Sequence, residues 1–369
     1  MTGNLRQKLL FVSLAIAITY PIVSFAKGPA VVIEDTRHLK VFYEKGRFAA
    51  WPANNGIWQW GNEILVGFSL GYLAPPDKKG LHQLDSTRPR TSMLARSMDA
   101  GQTWSVSEAG YPDGRLQPFP TDIPFDASGF ALNARGDKAF ISLNKGRTWN
   151  GPFRLPFADL HLRARTDYQV LGPKDLVLFL TAQKTNDREG RPFCARTRTA
   201  GTHFNQFAWI GPEPPGGYSI MPSSARLTNG DFLVALRRRD SEPEPHNFIE
   251  LFRSRDGGRS FQWLANPVKE NGQYSGNPPS MVRLADGRLC ITYANRNKPH
   301  TIRAVFSSDD GKTWGPEYIL RSGAGEPDIG YTRTVQRPDG KLITIYYWLD
   351  KPRSERYIAA TIFSPPKIH

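Results

Sequence analysis

Cysteine and histidine are scarce in this chain of 369 residues, which contains only two cysteines and seven histidines. The cysteines, Cys194 and Cys290, are too few for a disulfide scaffold, and the histidines lack the paired spacing of a zinc site. No glycine-rich loop of the phosphate-binding type follows a predicted strand. We therefore expect no metal and no other cofactor, and we expect both cysteines to be buried free thiols.

Long apolar runs are missing as well, except within the first 26 residues. There Arg6 and Lys8 precede the apolar run LLFVSLAIAITYPIV, and small Ser24 and Ala26 occupy the positions of a cleavage site. This pattern predicts a secretory signal peptide over residues 1–26, with an uncleaved anchor as the alternative. We expect residues 27–369 to form one exported domain, periplasmic or secreted, without a further membrane span.

Acidic residues are outnumbered, with 34 Asp and Glu against 48 Lys and Arg. The resulting net charge of +14 favours an acidic partner such as a carboxylated sugar or a polyanionic glycan. The basic residues are scattered, and export argues against nucleic acid. An ordinary solvated surface is the alternative explanation of this charge. We expect an acidic oligosaccharide as the ligand of a monomeric protein.

What the chain does contain is a repeated box of eight residues. Its copies are SMDAGQTW (97–104), SLNKGRTW (142–149), a worn TRTAGTHF (197–204), SRDGGRSF (254–261) and SSDDGKTW (307–314). The Asp side chain of the box pattern is expected to accept backbone N–H bonds across a turn, and the glycine to take a positive φ. We therefore interpret the boxes as structural turns rather than catalytic sites.

Each box is preceded by short apolar strands that are joined by a turn rich in Gly, Asp or Asn. Six such preludes predict an all-β fold, a six-bladed β-propeller with Asp-box turns and four antiparallel strands in each blade. The segment AVVIEDTRHLKVFYE near the N-terminus is expected to supply the outer strand of the last blade and close the ring. The two cysteines then lie two blades apart and cannot pair.

The boxes resemble the Asp-box, or bacterial neuraminidase (BNR), repeat, and residues 27–369 as a whole resemble the sialidase superfamily. This resemblance implies an exo-acting glycoside hydrolase that cleaves an acidic sugar from the end of a glycan. It implies a catalytic tyrosine at Tyr331 in GYTRTVQRPDG, an acid/base aspartate at Asp85, and an arginine of the family's triad at Arg237 or Arg239. The family's first arginine has no counterpart, because Ala50 stands at that place.

The resemblance also implies a glutamate near the start of the fourth blade that takes the proton of the tyrosine. The segment SIMPSS offers none at this place. Asp328 or Glu326, which precede Tyr331 in the chain, is the substitute that we expect, with Glu189 as a further alternative.

Strand direction divides the propeller into two faces. We call the face with the box turns the box face, and the face with the first-strand starts and the loops between second and third strands the mouth face. The expected ligand-binding residues of the mouth face are Asn55, Asp126, Arg165, Asp167, Arg237, Arg239, Arg296 and Arg333. Arginines suit a carboxylate, because each guanidinium is a rigid two-pronged donor. Alternatively, these arginines pair with aspartates and fill the funnel.

Three functions stay open at this level. The first is the sialidase-like hydrolase, in which alternation along the strand places Tyr331 and Arg333 in one pocket. The second is another enzyme of acidic glycans, either a hydrolase of a uronic or rhamnose linkage or a polysaccharide lyase with a tyrosine or His82 as base. The third is a glycan-binding propeller without catalysis.

Overall fold

The computed structural model describes residues 30–75, 77–78 and 80–367, so the predicted signal peptide lies outside the described residues. The described residues form six sheets arranged as a ring, and the strands of each blade pair antiparallel. Their helical content is one three-residue 3-10 turn, Pro52–Asn54, and they contain no helix long and apolar enough to cross a membrane. The predicted all-β, six-bladed propeller is confirmed.

The strands follow one another blade by blade. The chain begins with β1 (Val31–Val32) and β2 (Thr36–Phe42). Blade one contains β3 (Arg47–Ala50), β4 (Ile57–Trp60), β5 (Glu63–Tyr72), β6 (Thr91–Ser97) and β7 (Ser105–Glu108). Blade two contains β8 (Ala131–Arg135), β9 (Lys138–Ser142) and β10 (Asn150–Arg154). Blade three contains β11 (Tyr168–Gly172), β12 (Asp175–Gln183), β13 (Glu189–Thr197) and β14 (Gln206–Trp209).

The second half of the ring is more regular. Blade four contains β15 (Tyr218–Arg226), β16 (Phe232–Asp240), β17 (His246–Ser254) and β18 (Gln262–Val268). Blade five contains β19 (Ser280–Arg283), β20 (Leu289–Asn295), β21 (Thr301–Ser307) and β22 (Tyr318–Ser322). Blade six contains β23 (Gly330–Gln336), β24 (Leu342–Trp348) and β25 (Tyr357–Phe363).

The N-terminal strands complete the last two blades. β2 pairs antiparallel with β25 and is the outer strand of blade six, as the sequence predicted. β1 pairs in parallel with β22 of blade five, which the sequence did not indicate. The Phe42 ring on β2 lies 5.3 Å from the Phe68 ring on β5, measured between centroids. This contact joins blade six to blade one, so β2 seals the ring.

Blade two departs from the prediction because it has three strands instead of four. The segment expected as its first strand begins at Asp126, and it is bounded by Pro124 and Gly129, which interrupt regular strand pairing. The backbone of Phe125 donates to the Pro173 carbonyl in the turn between β11 and β12. The turns between first and second strands belong to the box face, so this segment lies there and β8 corresponds to a second strand.

The box turns share one hydrogen-bond pattern. In blade five, Ser307 Oγ donates to Asp309 Oδ1 (2.8 Å) and accepts from the Gly311 N–H (2.9 Å). Asp309 accepts from the Thr313 N–H at 2.9 Å, and Trp314 Nε1 donates to the Gly311 carbonyl at 2.9 Å. Every bond spans four residues or fewer. The local sequence is therefore sufficient to form the turn.

The worn copy keeps this turn with different side chains. Thr197 Oγ1 accepts from the Gly201 N–H (3.2 Å), and Thr199 Oγ1 accepts from the His203 N–H (3.0 Å) in place of a carboxylate. The predicted fifth box is confirmed.

Box glycines also bring neighbouring blades into contact. A Cβ on Gly311 would lie 2.9 Å from Leu251 of blade four, and one on Gly101 would collide with Ile343 of blade six. Only glycine fits such close contacts, and Gly311 also has φ +83°.

The two free cysteines are buried on β13 and β20, two blades apart, as predicted.

We expect Asp256→Ala to lower the free energy of unfolding by about 1–2 kcal/mol without loss of turnover, because Asp256 accepts bonds from Ser260 and Arg259 only within its box turn. Partial burial alone would raise the pKa of Asp256. Hydrogen bonds from Ser260 outweigh burial and lower this pKa to about 2, against an ordinary value of 3.8. This stabilisation is present above about pH 4 and is lost as the pH falls towards 2.

Asp256→Asn is the matched control. Asn144 makes the same bonds in the box of blade two, accepting from the Thr148 N–H (2.9 Å) and donating to Thr148 Oγ1 (2.8 Å). The Asn variant should therefore keep most of the stability and lose this part of the acid sensitivity. Urea unfolding between pH 2 and 7 measures both effects. Loss of turnover at full stability would contradict the structural role.

Candidate functional site

Two bulges shape the centre of the mouth face. The pairing of β23 with β24 shifts register between Gly330 and Arg333, and that of β15 with β16 shifts between Ile220 and Ser223. Tyr331 and Met221 lie in these bulges with φ of +50° and +55°. Positive φ is costly for bulky side chains and is concentrated at functional sites. The bulges therefore mark this part of the mouth face as a candidate site.

Tyr331 and Arg237 are in direct contact across the mouth. The Tyr331 hydroxyl accepts a hydrogen bond of 3.0 Å from Arg237 Nη1. Arg237 is held separately, because its Nε and Nη2 both donate to the Ser275 carbonyl, at 2.8 and 2.6 Å. Tyr331 is fixed by its N–H, which donates to Asn277 Oδ1 at 2.7 Å. The structure thus joins two of the predicted site residues.

The charge around the Tyr331 hydroxyl favours its ionised form. Burial alone would raise its pKa, but the positive charges of Arg237 and Arg296 outweigh burial and lower the pKa below the ordinary value of 10. A phenolate is a better nucleophile or base than a phenol. Two arginines therefore contribute to activation that a neighbouring carboxylate would otherwise provide.

Met221 occupies the bulge of blade four that faces this pair. Its sulfur lies 3.8 Å from Arg237 Nη1, and Met221 packs in one apolar cluster with Ala53 and Ile220. Tyr331 and Tyr218 border this cluster. A thioether cannot take a proton from the tyrosine. The glutamate that the family resemblance implies near the start of blade four is thus replaced here by an apolar contact.

A second chain of polar side chains lies beside Tyr331. Asp328 Oδ1 accepts from the Tyr347 hydroxyl at 2.6 Å and lies 2.9 Å from His82 Nδ1. Arg296 Nη2 donates to the Tyr347 hydroxyl at 3.4 Å. The Tyr347 ring is edge-on to that of Tyr331, with centroids 5.9 Å apart. The two groups therefore form one cluster at the mouth.

Asp328 is the buried anion of this cluster, with no exposed surface. Burial would raise its pKa, but the hydrogen bond and charge of His82, together with Arg356 and Arg296, lower it below the ordinary value. The carboxylate therefore stays charged and orients His82, whose side chain is 43% exposed. Asp328 bonds to Tyr347 and His82, not to the Tyr331 hydroxyl, so it is not placed as the direct proton acceptor of Tyr331.

Glu326 forms a structural contact between two loops. Its Oε2 pairs with Arg356 Nη2, and its Oε1 accepts from the Arg353 N–H at 3.0 Å. These bonds hold the loops before β23 and β25 together. They use both carboxylate oxygens, so the structure does not bring Glu326 to Tyr331.

Asp85 lies on the long loop between β5 and β6 of blade one, and its carboxylate is engaged locally. Oδ1 accepts from the Thr87 Oγ1 at 2.7 Å and from the Thr87 N–H at 3.0 Å. These hydrogen bonds lower its pKa, which makes it a weak proton donor near neutral pH. The residue of this loop that bonds to Asp328 at the mouth is His82, three positions earlier.

The predicted arginines of blades four and five differ in environment. Arg296 is 2% exposed, and its Nε has no hydrogen-bond partner among the described residues. Arg239 is half-buried at the rim and donates to the Tyr274 carbonyl. A buried guanidinium with an unused N–H is suited to an anionic ligand. Arg237 and Arg296 are therefore the stronger candidates for binding a carboxylate.

Arg333 and Asp167 lie below the mouth instead of at its surface. Arg333 Nη2 donates to the carbonyls of Ala53 and Thr166, both at 2.7 Å, and its Nη1 lies 3.9 Å from Asp167. Burial raises the pKa of Asp167 to about 6. The bulge at Tyr331 breaks the strand alternation, so Arg333 does not share the predicted pocket. Arg333 instead lines a cavity of about 300 Å³.

The remaining predicted residues are spread over the two faces. Asn55 is buried, and its Nδ2 donates to the Trp51 carbonyl at 3.0 Å. Arg165 Nε donates to Asn54 Oδ1 at 3.0 Å on the mouth face, and Arg165 Nη2 lies 3.5 Å from Glu189. Asp126 belongs to the segment on the box face and is not brought to the mouth.

Several residues of the mouth were not singled out by the sequence. Met221, Trp51 and Tyr347 read as core residues, and the sequence indicated His82 only as a base in the lyase alternative. The one local signal was the position of His82 in the longest mouth-face loop. Its partner Asp328 is 246 positions away.

Comparisons with known proteins agree with this architecture. The profile of the BNR repeat-like domain matches residues 128–344. No curated protein sequence matches the chain. A protein of unknown function from Dyadobacter fermentans has a similar structure, with a TM-score of 0.67 at 19% identity, and the alignment covers 90% of this chain and 100% of that one.

Two glycosidase structures are similar at lower scores. The Trypanosoma rangeli sialidase, in complex with the inhibitor DANA, has a TM-score of 0.55 at 12% identity over 90% of this chain and 60% of its own. An α-L-arabinofuranosidase from Fusarium graminearum, in complex with an iminosugar inhibitor, has a TM-score of 0.53 at 12% identity over 88% and 98%. Identities this low establish a shared fold only.

Proposed function

Since the chain belongs to the BNR repeat-like domain family, we propose that it is a glycoside hydrolase that cleaves an acidic sugar from the end of a glycan at the mouth around Tyr331. The observation that carries this proposal is the hydrogen bond between the Tyr331 hydroxyl and Arg237, in a bulge on the mouth face. Arg237 and the buried Arg296 supply the positive charge that a carboxylated sugar needs.

The chemistry uses Tyr331 as nucleophile. After the hydroxyl proton passes to solvent, the Tyr331 oxygen, whose negative charge Arg237 and Arg296 stabilise, bonds to the anomeric carbon while the bond from that carbon to the leaving oxygen breaks. Water then attacks the same carbon, and the bond to the Tyr331 oxygen breaks. The sugar leaves with a new hydroxyl, and the phenolate is regenerated.

His82 is the group that we assign to proton transfer, in place of Asp85. Its Nδ1 faces the charged Asp328 at 2.9 Å, which favours a proton on Nδ1 and leaves Nε2 for the substrate. The imidazolium protonates the leaving oxygen in the first step. The neutral imidazole accepts a proton from water in the second step.

Elimination is a second candidate, favoured by the same His82–Asp328 pair together with the absence of a carboxylate bonded to the Tyr331 hydroxyl among the described residues. An imidazole or phenolate base would remove the proton next to the sugar carboxylate, which arginines neutralise. The sugar then gains a double bond as the glycosidic oxygen leaves. Only this reaction gives an unsaturated product that absorbs in the ultraviolet.

A screen of the purified protein against acidic oligosaccharides, with product masses, tests the function. Hydrolysis adds the mass of water across the cleaved bond, whereas elimination leaves the summed mass of the products unchanged. No cleavage of any sialylated or uronate-containing glycan, combined with measurable binding, would contradict both enzymes and favour a glycan-binding propeller.

We expect Arg296→Gln to weaken binding of an acidic sugar by about tenfold or more and binding of its neutral methyl ester only slightly. The lost charge should also raise the pKa of Tyr331 and move the pH profile of kcat to higher pH. Arg239→Gln, at the rim, is the matched control. Equal losses for the acid and the ester would show that Arg296 is only structural.

Export and a monomeric state complete the proposal. The N-terminal charge and apolar pattern supports export, and the closed ring leaves blade six paired on its outer side by β2. N-terminal sequencing of the secreted protein and size-exclusion chromatography test the two points. A retained residue 1, or a dimer at micromolar concentration, would contradict them.

A further inference from the structure

A cleft on the mouth face, next to Trp51, brings three arginines together. Arg90 from the loop before β6, Arg135 at the end of β8 and Arg165 before β11 all line a cavity of about 310 Å³. Trp51 and Ser92 are also part of its wall. The three side chains come from the consecutive blades one, two and three, so the cleft forms only when these blades pack against one another. We call it the arginine cleft.

The positive charge of the arginine cleft is poorly compensated. Arg90 and Arg135 have no ion pair within the described part of the chain, and Arg135 donates to Ser92 Oγ, a neutral acceptor. Of the three arginines, only Arg165 has an ion pair among the described residues, with its Nη2 3.5 Å from Glu189 Oε1. Burial lowers the pKa of Arg135, and the charges of Arg90 and Arg165 lower it further. Such like-charge repulsion is relieved when an anion enters.

The arginine cleft borders the mouth at Trp51. The Trp51 ring lies 5.4 Å from the His82 ring and 6.5 Å from the Tyr347 ring, measured between centroids. The guanidinium carbon of Arg90 also lies 6.0 Å from the centroid of the Trp51 ring. One indole thus separates the two charged regions. A glycan that reaches Tyr331 with one sugar can place a neighbouring sugar in the cleft.

We propose that the arginine cleft is a second anion-binding site, which takes a sulfate ester or carboxylate on the sugar next to the one at Tyr331. The substrate class is then a glycan with acidic groups on consecutive sugars. The link to a glycan rests on the proposed function, but anion binding in the cleft does not. Three guanidiniums offer enough paired N–H donors for a tetrahedral or planar oxyanion.

Selenate, a sulfate analogue with an anomalous X-ray signal, locates the site in soaked crystals of the whole protein. We expect an anomalous peak between Arg90, Arg135 and Arg165. We also expect the double variant Arg90→Gln, Arg135→Gln to lower sulfate affinity in calorimetry by about tenfold or more. The single variant Arg90→Gln, whose side chain has no hydrogen bond among the described residues, should lower it about threefold and keeps the test valid if the double variant fails to fold.

Arg255→Gln is the matched control, because Arg255 is exposed in the box of blade four on the opposite face. It removes the same charge without touching the cleft, so its sulfate affinity should equal that of the unmodified protein. A missing selenate peak, unchanged affinity in both cleft variants, or an equal loss in Arg255→Gln overturns the proposal.

Oligosaccharides distinguish the two anion sources and separate this proposal from the proposed function. A digalacturonate should bind more tightly than its form esterified at one residue, and a sulfated disaccharide is compared in parallel. Tighter binding of the digalacturonate identifies a carboxylate as the group bound in the arginine cleft, and tighter binding of the sulfated disaccharide identifies a sulfate ester. No preference for a second charge overturns the glycan part. Binding needs no turnover, so an inactive protein that binds selenate in the cleft contradicts only the hydrolase.

Discussion

Replacing Tyr331 by phenylalanine is expected to lower kcat about 10³-fold or more while KM changes little, because the substitution removes only the nucleophilic oxygen. The binding residues should stay in place. Arg237 loses one hydrogen bond, but it keeps two to the Ser275 carbonyl, at 2.8 and 2.6 Å. The free energy of unfolding should therefore fall by no more than about 1 kcal/mol. Steady-state kinetics on the substrate that the screen identifies measures the effect.

Tyr218→Phe is the matched control for this variant. The Tyr218 hydroxyl donates to the same Ser275 carbonyl at 2.9 Å, and its ring also lies near Arg237, 5.4 Å from the guanidinium carbon. It loses the same atom at the same mouth without the proposed chemistry, so its kcat should change by less than about fivefold. Full activity of Tyr331→Phe, or equal losses in both variants, would end the nucleophile assignment.

Deletion of residues 30–43 is expected to prevent stable folding. It removes β2, so that β25 of blade six becomes an unpaired edge, and it removes the contact of Phe42 with Phe68 of blade one. The lost strand pairing and apolar contacts should cost several kcal/mol, a large fraction of the 5–15 kcal/mol that typically stabilises a folded protein. An exposed edge also promotes aggregation. Soluble yield and the thermal unfolding midpoint measure the outcome.

A smaller change at the same end separates ring closure from the general loss of an N-terminal segment. Val31→Gly with Val32→Gly alters only β1, whose two residues are 46% and 61% exposed. This variant should unfold within a few degrees of the unmodified protein. A synthetic peptide of residues 30–43 should restore the deleted protein by pairing with β25. A soluble deletion variant with an unchanged midpoint would contradict closure by β2.

The sequence determined the fold because its signals are local and repeated. Each box turn is closed by bonds that span four residues or fewer, as between Ser307 and Gly311, so the same letters give the same turn wherever they occur. Alternating apolar strands at regular spacing then admit few architectures other than a propeller. The same local reasoning placed Tyr331 and Arg237 on one face, where they do meet.

Only the tertiary structure decided how the mouth is assembled. The bulges at Tyr331 and Met221 depend on the register with a partner strand, and they broke the alternation that had grouped Tyr331 with Arg333. Blade two has three strands instead of four, and the segment that contains Asp126 lies on the box face instead of forming a first strand. His82 meets Asp328 only because closing the ring brings blade one beside blade six, across 246 positions of chain. Contacts of that kind follow from ring closure and strand register, which no local pattern encodes.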